Sequence, residues 1–181
     1  MTTSTRSPRV RAAALTGAAV LGMAALAAAA APGAAAGPTS GACTTSDLSV
    51  RLLAGSPGAG QRFATVVLTD TGGRTCTVTG YGGLALLGAP GQGVPTDLRR
   101  VPTPAPATVT LSPGASARSL LHWTVVPAAN ESGTACEPTP TTVVVTPPDQ
   151  TTAALRPWTF GPVCQHGQIQ QNAYVPGSAA F

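Results

Sequence analysis

The stretch Arg62-Phe63-Ala64-Thr65-Val66-Val67-Leu68-Thr69 carries apolar residues on both of its faces. A run of this kind suits a strand covered on both sides rather than one with a solvated face. Outward from it, period-two alternation recurs. Leu48, Val50 and Leu52 fall on one face with Asp47, Ser49 and Arg51 on the other, and Cys76 and Val78 alternate with Thr75, Thr77 and Thr79. Both segments read as half-buried strands. Thr141-Thr142-Val143-Val144-Val145 is β-branched throughout and predicts a second interior strand, while Leu121, Trp123 and Val125 form a third inward stripe.

Turn-forming clusters punctuate these runs: Asp70-Thr71-Gly72-Gly73, Gly80-Tyr81-Gly82-Gly83, Gly88-Ala89-Pro90-Gly91, Ser112-Pro113-Gly114 and Thr146-Pro147-Pro148-Asp149. No segment after residue 36 reads as a helix. Short strands at this spacing predict an all-β fold, an antiparallel immunoglobulin-like β-sandwich of about seven to nine strands. Val101-Pro102-Thr103-Pro104-Ala105-Pro106-Ala107 breaks the pattern, because alternating prolines cannot donate to a central ladder, and it is assigned to an edge or a loop.

The first 36 residues have the three parts of a secretory signal. Arg6, Arg9 and Arg11 precede an apolar stretch from Ala12 to Ala31, and Ala34-Ala35-Ala36 offers a cleavage site. The expected organisation is a signal peptide over residues 1–36, a short linker over 37–42 and a single β-sandwich domain over 43–181. Cleavage would leave no membrane span and would reduce the formal net charge from +4 to +1. Cys43 has no Leu three positions upstream, so lipidation there is not expected.

In the exported portion Val, Leu, Ile and Phe amount to about a fifth of the residues, which is close to the border of disorder. Disorder also needs a high net charge, which +1 does not supply. The core is therefore thin, and cross-links become the obvious supplement. All four cysteines, Cys43, Cys76, Cys136 and Cys164, lie in the exported portion, and an even count in an oxidising compartment predicts two disulfides. Of the three possible pairings, sequence-local neighbours favour Cys43–Cys76 and Cys136–Cys164.

The order of residues resembles a family of exported actinobacterial proteins, domain of unknown function family 4232. The resemblance rests on Cys43 followed by a strand, Gln61-Arg62 leading into Val66-Val67-Leu68-Thr69-Asp70-Thr71-Gly72, and Cys76-Thr77-Val78-Thr79-Gly80-Tyr81. It continues through Leu111-Ser112-Pro113-Gly114-Ala115-Ser116-Ala117 to Trp123 and two further cysteines. Asp70 stands where Asn is commoner in the family, and Gly82 where Pro commonly follows the Tyr; both are turn positions. The resemblance implies an exported module and transfers no catalytic residue.

The chain has no lysine, its ten basic residues all being Arg, and only 9% of its residues are charged. P-loop phosphate binding, Schiff-base chemistry, a Ser-Lys dyad and a nucleic-acid surface are thereby excluded. The cysteines form no C-x-x-C knuckle, so no metal site is expected, and no cofactor motif is present. The six acidic residues stand singly at strand ends and turns, where Asp bonds the local backbone. His122, with Arg118 and Thr124 on its face, reads as a solvent-facing strand residue, and His166 reads as a turn residue. Arg99 and Arg100, ahead of the proline-stiffened stretch, together with Arg118 and His122 are the candidate binding residues. The expected function is a secreted, monomeric, non-catalytic module that binds an envelope component or a protein partner. Two rivals are a serine protease inhibitor presenting Leu98-Arg99-Arg100-Val101, and an exported hydrolase using His122 or His166.

Overall fold

The computed structural model describes residues 40–131, 136 and 138–181; the expected signal peptide lies outside them. The described chain is all-β. A single 3-10 turn, Thr45–Asp47, leads into twelve strands: β1 Leu48–Ala54, β2 Gln61–Asp70, β3 Cys76–Thr79, β4 Gly83–Leu87, β5 Gly93–Val94 and β6 Asp97–Val101, then β7 Thr108–Leu111, β8 Ser116–Thr124, β9 Thr142–Thr146, β10 Ala154–Pro157, β11 Gln168–Asn172 and β12 Val175–Pro176. Twelve exceeds the seven to nine expected. The surplus comes from short pairings such as β5 and β12, two residues each, which carry no alternation a sequence could display.

The largest sheet has the order β1-β2-β8-β11-β6, with β12 adding to β8. A second sheet runs β10-β9-β4-β5, and β3 pairs with β7 in a separate ribbon. All named pairs are antiparallel except β6 with β11, which runs parallel with Gln170 opposite Arg99. The segment that opens the proline-stiffened stretch is thus an edge strand in its first five residues, Asp97–Val101, and leaves the sheet at Pro102.

One core serves all three sheets. Val50, Val66, Leu68, Leu121, Trp123 and Ile169 come from the large sheet, Leu86, Val143 and Val145 from the second, and Cys76, Val78, Val109 and Leu111 from the ribbon. Each fully buried aliphatic side chain contributes about 1.5–3 kcal/mol. Trp123, Trp158 and Phe160 pack as an aromatic cluster with ring centroids 5.0–6.1 Å apart. Both indole N–H groups are satisfied, Trp123 donating to the Pro162 carbonyl at 3.1 Å and Trp158 to that of Gly161 at 2.8 Å.

Both expected disulfides are present, Cys43–Cys76 and Cys136–Cys164. The first ties the segment ahead of β1 to the ribbon, where the Cys43 N–H also bonds the Thr77 carbonyl at 2.9 Å.

The doubly apolar run Arg62–Thr69 is explained by β2's position between β1 and β8 and by what covers its outer face. Thr65 and Val67 point away from the shared core yet are wholly buried. The C-terminal residues cross over them: Gly177 N–H bonds the Ser116 carbonyl at 2.9 Å, and Phe181 N–H reaches Thr65 Oγ1 at 3.2 Å.

Candidate functional site

Strand alternation puts Arg118, Leu120, His122 and Thr124 of β8 on the outer face of the large sheet, opposite the buried Ala117, Ser119, Leu121 and Trp123. The two ends of that outer stripe differ. At one end Arg118 is occupied by its own chain: Nη1 donates to the carbonyls of Ala179 and Ala180, both at 3.2 Å, and the guanidinium lies 4.2 Å from the Phe181 ring centroid. At the other end His122 is half-buried and lines a cleft of about 270 Å³.

Neighbouring strands set the cleft walls. Phe63 of β2 and Gln170 of β11 both lie in register with His122. The Phe63 ring stacks on the imidazole at 4.6 Å with 10° between planes. Gln61 Oε1 lies 2.7 Å from His122 Nε2, and Gln170 Oε1 3.4 Å from Nδ1. The imidazole is therefore held on three sides. Gln168, two residues before Gln170 on the same face of β11, adds a further amide to the lining, and Thr124 completes the floor.

The fourth amide, Gln165, comes from the loop ahead of β11. That loop has an uncommon backbone, with φ of 57°, 58° and 79° at Gln165, His166 and Gly167 in succession. Side chains rarely occupy this left-handed region, and at Gly167 a Cβ would collide with the Pro95 carbonyl. Consecutive N–H groups in such a conformation form a concavity for an anion, and Glu131 fills it. Its carboxylate accepts from His166 N at 2.6 Å, Gln165 N at 3.0 Å and Ala128 N at 2.5 Å. Burial pushes the Glu131 carboxyl up, but the three backbone N–H bonds and the nearby His166 outweigh it and hold the group below the usual carboxylate range. With Cys164 bridged to Cys136 next to it, the loop presents Gln165 from a fixed position, and Gln165 Nε2 donates to the Val126 carbonyl at 3.0 Å.

Glu131 also lies with Cys136 and Cys164 in a group whose ligand-type atoms are within 4.8 Å of one another. Both sulfurs belong to the disulfide, so the group offers no thiolate to a metal.

The sequence-derived candidates do not form one patch. Arg99 pairs with Asp97, Nε and Nη2 both 2.7 Å from Oδ2, whereas Arg100 stacks 5.4 Å from the Tyr81 ring centroid. Adjacent residues on a strand face opposite ways, so the two guanidinium groups cannot act together. His122 stands in the cleft, and Arg118 lies under the C-terminal residues. Among the described residues His122 meets amides, and His166 Nε2 lies 3.2 Å from Asn130 Oδ1 and Nδ1 3.9 Å from Glu131 Oε1. Sequence reasoning missed Gln165, Gln168 and Gln170. A Gln-rich segment around the lone apolar Ile169 shows no periodicity that would mark a strand, and amides carry no charge to draw attention.

The molecule is thus an all-β, disulfide-bridged domain with a polar cleft on its largest sheet. Residues 43–174 match the family described as Domain of unknown function (DUF4232), and the chain belongs to that family. No curated protein and no solved structure matches it.

Proposed function

We propose that this chain is a secreted, non-catalytic binding module, monomeric and immunoglobulin-like, which recognises an envelope component or protein partner through the His122 cleft. The observation that carries the reading is the set of amide groups facing the cleft with hydrogen-bonding capacity that the fold does not use. Oxidised cysteines support a location outside the cytoplasm, and no helix of the described residues is long and apolar enough to cross a membrane. Antiparallel pairing around a core shared by two main sheets supports the sandwich. The inhibitor alternative is less well supported, because Leu98–Val101 is laid against β11 instead of projecting as a loop.

Affinity capture from the envelope and medium of the producing cell, run with the native protein and a Gln168→Ala/Gln170→Ala variant, tests this. Capture of a partner by the first and its loss with the second is expected. Equal capture by both would remove the cleft from the function. Intact mass of the protein from culture supernatant should correspond to a chain beginning at Gly37.

A further inference from the structure

The cleft has a chemistry specific enough to name its ligand class, provided the cleft is the binding site as proposed above. We infer that it holds one ring of a neutral, polyhydroxylated ligand, that is, a sugar unit of a glycan.

Charge is the first argument. Among the described residues no carboxylate, guanidinium or ammonium group lines the cleft and His122 is its one ionisable side chain, while Asp97 and Arg99, in register with Gln168 and Gln170 on the next strand, are paired with each other. A charged ligand entering it would lose hydration without meeting a fixed opposite charge, which is costly. Unused hydrogen-bonding capacity is the second. Gln61 and Gln170 each spend one end of the amide on a His122 ring nitrogen; the neutral ring donates through one nitrogen and accepts through the other, so one glutamine keeps its NH2 group and the other its Oε1 for a ligand. Gln165 uses its NH2 group on Val126 and keeps Oε1, and the Gln168 side chain, which lines the cleft, has no hydrogen-bond partner among the described residues. Donors and acceptors are thus both on offer around one space. A sugar hydroxyl is donor and acceptor at once, so a ring with adjacent hydroxyls can satisfy such a mixed set where a simple acceptor or donor cannot.

Dimensions are the third argument. Gln168 and Gln170 have Cα atoms about 7 Å apart along β11, and Gln61 lies two strand spacings away, about 9–10 Å. At about 270 Å³ the cleft falls just below the range of drug-sized pockets, a size suited to a single ring. An extended peptide is disfavoured on other grounds. The β8 and β11 backbones beneath the cleft are paired to each other at His122 and Gln170, and the edge of this sheet, β6, lies one strand beyond, on the far side of β11. The site is also preorganised, since the imidazole is fixed by Phe63 and two amides, and little ordering is left for the ligand to impose.

The test is a titration of the ¹⁵N-labelled protein with cellotriose, maltotriose and chitotriose, following the glutamine side-chain amide resonances, with glucuronic acid as the charged comparison. At least one neutral sugar should shift the cleft amides with a Kd of about 1 mM or tighter, and glucuronic acid should shift them less. Gln168→Ala/Gln170→Ala should weaken binding about tenfold or more while the backbone spectrum and Tm stay close to those of the native protein. His122→Phe, which keeps the Phe63 stack but releases the Gln61 and Gln170 amides from the ring, should also weaken it. No shift at about 20 mM of any neutral sugar overturns the sugar assignment. If capture of an envelope partner still depends on Gln168 and Gln170, the module reading survives that failure; if neither depends on them, both fall.

Discussion

Removing the Cys43–Cys76 bridge by Cys43→Ala/Cys76→Ala should destabilise the domain more than any single surface change. The bridged residues are 33 positions apart, and closing a loop of that length in the unfolded chain corresponds to about 3.7 kcal/mol. The Cys136–Cys164 bridge spans 28 positions and gives about 3.6 kcal/mol on the same basis. Loop length therefore does not separate the two; burial does. Cys43 and Cys76 are 1% and 0% exposed within the shared core, so loss of two sulfurs there leaves unfilled space, whereas Cys136 is only half-buried. The cavity adds about 1 kcal/mol, for a total near 5 kcal/mol against a whole-domain stability of about 5–15 kcal/mol. Urea unfolding of the native protein and both double-alanine variants measures this. The midpoint should fall furthest for Cys43→Ala/Cys76→Ala, and the denaturant slope should rise in both as the unfolded ensemble expands. A loss below about 1 kcal/mol in that variant would refute the idea that a thin core depends on its cross-links.

Two further substitutions probe single polar groups. Because Glu131 is held below the usual carboxylate range when folded, its contribution to stability is complete above that range and disappears as pH falls through the folded value. Glu131→Gln should therefore lower Tm at pH 7, and the gap to the native protein should close below about pH 4, as thermal melts across pH would show; a gap independent of pH would mean the carboxylate charge is not what holds the Gln165 loop. Tyr174 is 1% exposed, its hydroxyl has no partner among the described residues, and burial pushes its ionisation strongly upward. Tyr174→Phe keeps the ring and the 2.8 Å bond from Tyr174 N to the Gly80 carbonyl, and should raise stability by about 1 kcal/mol in urea unfolding; a loss of that size would show that the hydroxyl is satisfied in solution.

Particular residues show why the fold was more legible than the site. The unbroken β-branched run Thr141–Val145 announces β9, although only Val143 and Val145 are buried and Val144 is half-exposed. Leu48 and Val50, and Cys76 and Val78, were readable from alternation, because a half-buried strand buries every second side chain. The second burial surface of β2 was visible as apolar residues on both faces, but its cause was not: the covering chain arrives 116 positions later, at Phe181. β6 was hidden by its neighbours, since Asp97, Arg99 and Arg100 give no alternation and the prolines beyond Val101 suggest a loop. β11 was hidden by composition: it buries Gln171 as well as Ile169, and a buried amide reads as polar. His122 could be placed on the outer face, but the amides that turn that face into a cleft come from β2, β11 and the loop before it. Their meeting depends on register, which one chain's local pattern does not encode.

The C-terminal residues lying over β2 and β8 have a consequence for anything joined to them. Phe181 reaches the sheet at Thr65, two positions along β2 from Phe63, the residue stacked on His122. Two positions along a strand are about 7 Å. A fusion partner attached after Phe181 therefore starts beside Thr65, on the same face as the cleft, and a bulky one would shade it. Its linker length becomes a ruler: a short linker should block a large ligand and spare a small one, and a long linker should restore both.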